Sequence, residues 1–422
     1  MGQVIAAPLG AIGTCLGACS GSCIAVGCGR LAGSGNLSSQ RAARCVLIWL
    51  QLFTAAVALL SAATAHKWLP WTCGKLDDVG AGSLGVCECK GSADAQSCWS
   101  DQLVYRAELS GFGVFAALLV MTASGCAQGA SRSHSVAKFM AVPVLCFALL
   151  FVPNAPLNGF GTFATAAAAI FLVAQALLLI DFAYAWNETW HGYAIMAQRR
   201  ELSERGKKMW LGLILASSAA LFVTAVVVSV WLYSAFPGSA GRGINMSALI
   251  IAFLLLLVSV TDWCEHGALL TSCVVLMYTV WLVLEALASE PNLPGQKPPV
   301  WPGLLLCAGS LAASAMGTEL SGSSAGSAAL ARSAGAAGRA EEGEAETEPP
   351  RGEEGAPVTG AEAKDFALHC SVHAAAALYV TSVLAPKAGQ PQFVLHAIAI
   401  FTALLLYGWS LVAPKILTNR AF

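Results

Sequence analysis

The residues of this sequence with the most chemistry to offer are charged side chains set into long apolar runs. Asp181 interrupts LLLIDFAYAW (177–186) and Glu285 interrupts WLVLEALASE (281–290). Lys138 and Arg106 stand near the ends of two further apolar runs. An ionisable group in hydrocarbon is costly, so one found there is a functional candidate by default. Asp181, Glu285, Lys138 and Arg106, together with the Trp186 indole, are therefore candidates to line a path for polar groups through the membrane. Each also has a plainer reading. Lys138 and Arg106 can snorkel toward the headgroups on their aliphatic stems. Asp181 can end a helix at the interface, since Asn187 and Glu188 follow it, and Glu285 lies about one turn from a boundary. Trp186, Trp190 and Tyr184 have the composition of an interfacial aromatic belt.

Four cysteines, Cys73, Cys87, Cys89 and Cys98, fall in one short acidic stretch. Outside the cytosol such a set reads as disulfides, with the pairing left open. Cys87-x-Cys89 fits the usual zinc spacing poorly. His369 and His373 are four residues apart and share a helix face, a spacing metal ligands use. No carboxylate motif accompanies them, so they read as a pair at a helix entrance, and no metal is expected. The sequence shows no phosphate-binding glycine loop, nucleophile elbow or acyltransferase-like His–Asp signature. Neither catalysis nor a cofactor is expected. Gly303, Gly309 and Gly317 read as small residues that let membrane helices approach closely.

The elements that must position these groups follow from composition. Of 422 residues, 57% are hydrophobic and only 11% charged, with a mean hydropathy of +0.67. A water-soluble fold of this composition would expose large apolar patches. A net charge of -1 offers no basic surface for nucleic acid. Apolar runs occur at 41–64, 103–124, 136–153, 160–186, 208–235, 244–262, 267–288, 301–317, 364–384 and 392–414. Each is near the roughly 20 residues that cross the hydrocarbon as a helix, and none alternates as a barrel strand would. The fold class is thus an all-α integral membrane protein of about ten spans. Segment 4–28, rich in Gly, Ala and Cys, is either a further span or a helix packed from the cytosolic side.

Basic residues orient the chain. If the 28–44 loop is cytosolic, alternate loops on that side hold 16 of the 23 Lys and Arg, and the other side holds 7. This places the C-terminus in the cytosol and the cysteine loop, 65–102, outside it. The organisation is then a Gly/Cys-rich segment at 1–40, eight spans within 41–317, an acidic linker at 318–362, and two spans with the C-terminus at 363–422. The linker has no aromatic residue and reads as disordered. Asn36, Asn187 and Asn245 are glycosylation sequons. Only Asn245 lies on the correct side, and it is too close to the membrane to be modified.

Several strings resemble the serine incorporator family. LLLIDFAYAWNETW (177–190) is similar to the family's leucine run followed by an acidic-aromatic segment. LLLYGWSLVAP (404–414) with NRAF (419–422) is similar to the family's ending. The Cys-rich start, the Cys98 to Arg106 junction and Phe151-Val-Pro153 also fit, in the family's order. The stretch TDWCEHGALLTS (261–272) and the Ala/Gly/Glu-rich linker depart from it.

The resemblance implies two helical subdomains with a lipid-accessible groove between them. It also implies a role in lipid handling: ATP-independent phospholipid scrambling, or promotion of serine incorporation into phosphatidylserine and sphingolipids. Some animal members of that family restrict enveloped viruses. Expected partners are membrane phospholipids and lipid-biosynthesis enzymes, at the plasma membrane or an endomembrane such as ER, Golgi or vacuole. A small-molecule or amino-acid transporter and a non-catalytic scaffold are the competing readings.

Overall fold

A computed structural model of the chain describes residues 40–79, 85–89, 95–124, 135–199, 203–236, 238–261, 268–288, 301–315, 360–385 and 390–416. Among these residues there are ten α-helices, one 3-10 turn and no strands. The helices are α1 (Gln40–Val79), α2 (Ala95–Ala123), α3 (Ser135–Leu149), α4 (Asn154–Arg199) and α5 (Ser203–Ala235), then α6 (Ser239–Ser259), α7 (Leu269–Ala288), α8 (Trp301–Ala315), α9 (Gly360–Leu384) and α10 (Gln390–Ile416). Each apolar run corresponds to one helix. Eight are long and apolar enough to cross a membrane, while α3 and α8 have 15 residues each. At 1.5 Å per residue these two reach only ~22 Å, short of the ~30 Å hydrocarbon core. Segment 4–28 and the linker interior lie outside the described residues.

The helices sort into two packing groups. α1, α2, α3 and α9 share one core, built on Leu47, Leu50, Phe115 and Phe366. α5, α6, α7 and α10 join α4 in a second, larger core that contains Phe171, Leu232, Leu276 and Tyr407. The 46-residue α4 packs on α9 in the first group and on α5, α7 and α10 in the second. Its length of ~69 Å is more than twice the hydrocarbon thickness. In its most apolar window α7 is 72% buried and α5 only 11%. α7 is therefore the axis of its group and α5 its rim. The exposed face of α5 carries Leu215, Val223, Val227 and Val230. In water this face would be an aggregation hazard, and in a bilayer it is solvated by acyl chains.

The stretch 65–102, expected as a loop, is largely helical. α1 continues past its membrane segment to Val79, with Pro70 inside it, and α2 already begins at Ala95. Between them the Gly85–Cys89 turn is pinned by two disulfides, Cys73–Cys87 and Cys89–Cys98. Val86, Leu69, Ala65 and Leu103 form a small core beneath it. Gly85 is required here, because a Cβ would collide with the Val152 carbonyl. At this disulfide end the turn therefore lies directly against the junction of α3 and α4.

Candidate functional site

Arg106 holds that junction. Far from snorkelling, it is 0% exposed. Its Nε donates to Leu149 O at 3.0 Å and its Nη2 to Val152 O at 2.8 Å, at the end of α3, where Leu149 O also accepts from Val152 N at 3.1 Å. Nη2 also donates to Asn154 Oδ1, and Nη1 to Gln102 O and Oε1, each at 3.0 Å. Asn154 N donates in turn to Glu88 Oε2 at 2.9 Å. A helix ending in hydrocarbon leaves carbonyls that water cannot reach. Arg106 adds donors to the carbonyls at the end of α3. Lys138 does not snorkel either. It is 7% exposed and lies 5.6 Å from the Phe366 ring centroid.

The most developed polar site lies where the two groups meet, toward the disulfide end of α7. The Glu285 carboxylate accepts from Tyr379 Oη at 2.5 Å and from Trp281 Nε1 at 3.1 Å, both on Oε1. His396 Nε2 stands 3.6 Å from its Oε2. His396 Nδ1 is 2.8 Å from Gln392 O. A carbonyl only accepts, so Nδ1 carries a proton. The facing Nε2 and carboxylate are separated by more than a hydrogen-bond length. Glu285 is therefore not at an exposed boundary; its side chain is 14% exposed and that of His396 6%.

Four helices build this site. Trp281 and Glu285 are one turn apart on α7, Tyr379 comes from α9 and His396 from α10. Gly303 of α8 completes it, since a Cβ there would collide with both Glu285 Oε1 and Tyr379 Oη. The polar seam continues inward. Tyr278 Oη donates to Leu172 O at 2.8 Å, and Gln175 Nε2 to Ser310 Oγ at 3.4 Å. Tyr278, Trp281 and Glu285 recur at helical spacing, so α7 turns one polar stripe toward α4, α8 and α9. Gly309, by contrast, has nothing within 4 Å of a built Cβ. It is not a packing glycine, and Gly317 lies outside the described residues.

Glu108 is a site residue that the sequence reading missed. It sits at the middle of the Ala95–Ala123 membrane segment, 0% exposed. Neither carboxyl oxygen has a hydrogen-bond partner among the described residues. The signal was its place inside an apolar run. Its neighbour Arg106 looks like a counter-ion, but residues two apart do not face each other on a helix.

The remaining candidates lie elsewhere. Asp181 is 27 residues along α4 from Asn154, ~40 Å toward the opposite end of the molecule. Trp186 belongs to an aromatic column there. It stacks edge-on to Trp190 at 5.3 Å, and Trp190 meets Trp210 of α5 at 6.1 Å. The structure thus separates the five path candidates, with Arg106 and Glu285 toward the disulfide end and Lys138, Asp181 and Trp186 toward the other.

His369 and His373 are buried rather than at an entrance. His369 Nε2 is 3.7 Å from Asp365, which also accepts from Arg44 Nη2 at 2.8 Å. His373 stacks on Phe115. Among the described residues no group of three or more His, Cys, Asp or Glu is placed to hold a metal. Asn245 is 1% exposed and exchanges hydrogen bonds with Ser229 across α5 and α6.

A family model described as Serine incorporator (Serinc) matches residues 14–314. Serine incorporator 2 of Bos taurus is 26% identical over 303 residues, covering 67% of this chain and 64% of that protein. A probable serine incorporator of Dictyostelium discoideum is 24% identical over 271 residues, 61% of this chain and 60% of its own length. One from Nematostella vectensis is 29% identical over 133 residues, 29% of this chain and 27% of that protein. The chain thus spans less than two thirds of the length of these relatives. The family match ends before α9 and α10, which supply Tyr379 and His396. With eight of the ten described helices inside the matched stretch, the chain belongs to the serine incorporator family.

Proposed function

We propose that this protein moves phospholipids between leaflets without ATP. The observation that carries this reading is the polar seam around Glu285, set where two helical groups meet inside an otherwise lipid-facing molecule. A headgroup in hydrocarbon loses several kcal/mol of hydration. Glu285, His396 and Tyr379 offer a carboxylate, an imidazole and a hydroxyl to replace part of that loss, while the tails stay in the bilayer. The seam is closed in this conformation, so passage requires α7 and α9 to part. No covalent chemistry is needed, and the protein acts as a non-enzyme. Its partners are phospholipids, and the lipid movement promotes serine incorporation into phosphatidylserine and sphingolipids by neighbouring synthases. It resides in the plasma membrane or an endomembrane with its C-terminus in the cytosol.

The test is dithionite quenching of a fluorescent lipid in liposomes that contain purified protein and no nucleotide. Quenching beyond the outer-leaflet half is expected. Glu285→Leu removes one hydrogen-bonding partner, ~1–3 kcal/mol, and should slow the exchange roughly 5- to 160-fold. Quenching that stops at the outer half with folded protein would reject the reading. Glu108 favours a second one, proton-coupled transport of a small molecule, because carboxyls buried in spans mark proton relays. Saturable solute uptake driven by a pH gradient and lost in Glu108→Gln would select it.

A further inference from the structure

Glu108 stands one turn from a close crossing of α1 and α2. Ser100 Oγ of α2 donates to Ala62 O of α1, and a Cβ on Gly111 would meet Thr54. The two helices therefore run antiparallel, with no room for a side chain between them at Gly111. Glu108, Gly111 and Phe115 share one face of α2, and Phe115 stacks on His373 of α9. That face is covered by α1 and α9, and α8 packs on both of these helices and on α4. The buried Cys307 thiol of α8 is within electrostatic reach of Glu108 and of Glu285 in the seam.

No described cation is placed to balance a carboxylate at Glu108. Arg106 is turned to the end of α3. Arg44 of α1 is bound to Asp365 of α9, and it lies ten residues, ~15 Å, before Thr54. Lys138 of α3 lies over Phe366, next to Asp365 in the chain. From α9, His369 faces Asp365, His373 stacks on Phe115 and the Tyr379 hydroxyl is bonded to Glu285. Glu88 of the 3-10 turn is bonded to Asn154. α4 has no ionisable side chain before Asp181, α1 has none between Cys45 and His66, and α8 has Cys307 alone. Gln51 of α1 is 2% exposed with both ends of its amide unpartnered. It lies on the other side of the crossing, ~9 Å from Glu108 along the axes, too far to bond it.

A carboxylate so placed gives up its hydration for nothing, whereas the neutral acid gives up far less. We propose that Glu108 is a proton-binding site, filled when the two helix groups are together and emptied when they part, so that the bound proton holds the bundle closed. Parting admits water past Cys307. The carboxyl then passes its proton to that water and is hydrated as the anion. The inference rests on the parting of helices that lipid exchange requires. It differs from a proton relay, since no hydrogen-bonded chain leads from Glu108 and no proton crosses the membrane. The closed form binds one proton more than the open form. Each pH unit can therefore raise the ratio of open to closed protein at most tenfold.

The test compares full-length wild type with Glu108→Gln, whose amide has the shape of the neutral acid and no proton to lose. Both are followed between about pH 5.5 and 8. Two readouts need no lipid exchange. The first is thermal melting. Unfolding also hydrates the carboxyl, so wild-type melting should fall relative to the variant as pH rises, by at least ~2 °C over the interval. The second is the rate at which Cys307 takes up N-ethylmaleimide, read by mass spectrometry on its own peptide. Thiol ionisation speeds both proteins alike, and His373, His396 and Glu285 are common to both. The ratio of wild type to variant thus isolates Glu108, and it should rise by up to tenfold per pH unit. Should the amide prevent folding, Glu108→Met takes its place in both comparisons. The proposal is overturned if either the melting gap or the labelling ratio is independent of pH. A rising ratio in a protein that moves no lipid rejects the exchange reading and leaves this site standing. Lipid exchange with a flat ratio rejects this site and leaves the seam.

Discussion

Replacing Arg106 by leucine is the most exacting perturbation of this fold, because a single buried side chain supports the end of α3. The guanidinium makes five hydrogen bonds of 2.8–3.0 Å, three of them to main-chain carbonyls. Charge-assisted bonds contribute ~1.5–3 kcal/mol each. They do not add, since the charge must first be desolvated, and breaking a buried charged network costs ~3–5 kcal/mol in total. The leucine variant also takes from Val152 O its guanidinium donor. The apparent melting temperature in detergent should fall by at least ~5 °C. Arg106→Lys should recover little of it, because an ammonium cannot reproduce a fork that spans α2, the α3 end and Asn154. Tryptophan-fluorescence melting of the three proteins gives the answer. A lysine variant within a degree of wild type would refute the geometric argument.

Gly303→Val should destabilise the protein and slow lipid exchange by driving a side chain into Glu285 and Tyr379, whereas Gly309→Val should change melting by no more than ~0.5 kcal/mol. Thermal melts of both variants under one set of conditions decide this. Removing the Cys73–Cys87 bridge, which closes a separation of 14 residues, should cost about 3 kcal/mol, seen as a lower melting temperature of the double serine variant. Asn245 should carry no glycan, so glycosidase treatment should leave the mass of a peptide containing it unchanged. Asn245→Ala should melt lower through the loss of its bonds to Ser229.

The helical architecture is legible in the sequence because hydrocarbon imposes one long apolar run per crossing, and ten runs correspond to the ten helices among the described residues. What hydropathy hides is where a helix begins inside polar sequence. The apolar run starts at 103, so Arg106 looks terminal. The helix actually begins at Ala95, which puts Arg106 three turns inside. The same effect hides the helical character of 65–79, where Lys67, Lys75 and Asp78 follow the apolar run in one helix. Glu285 is legible as an ionisable residue, but its partners are not. Tyr379 and His396 come from helices 94 and 111 residues further along the chain, and no local pattern announces such a meeting.

The position of α9 bears on how the protein is made. Arg44 near the start of α1 pairs with Asp365 of α9 across 321 residues, and Phe366 and Cys370 belong to the core that α1, α2 and α3 share. When the ribosome has delivered α1, α2 and α3, their central partner has not yet been synthesised. These helices must wait in the bilayer, with buried groups such as Glu108 and Lys138 not yet enclosed, until nearly the whole chain has emerged. Biogenesis of this protein is therefore a problem of holding an incomplete bundle. A nascent chain stalled before residue 360 should be handed to membrane quality control, and α9–α10 supplied as a separate polypeptide should rescue it.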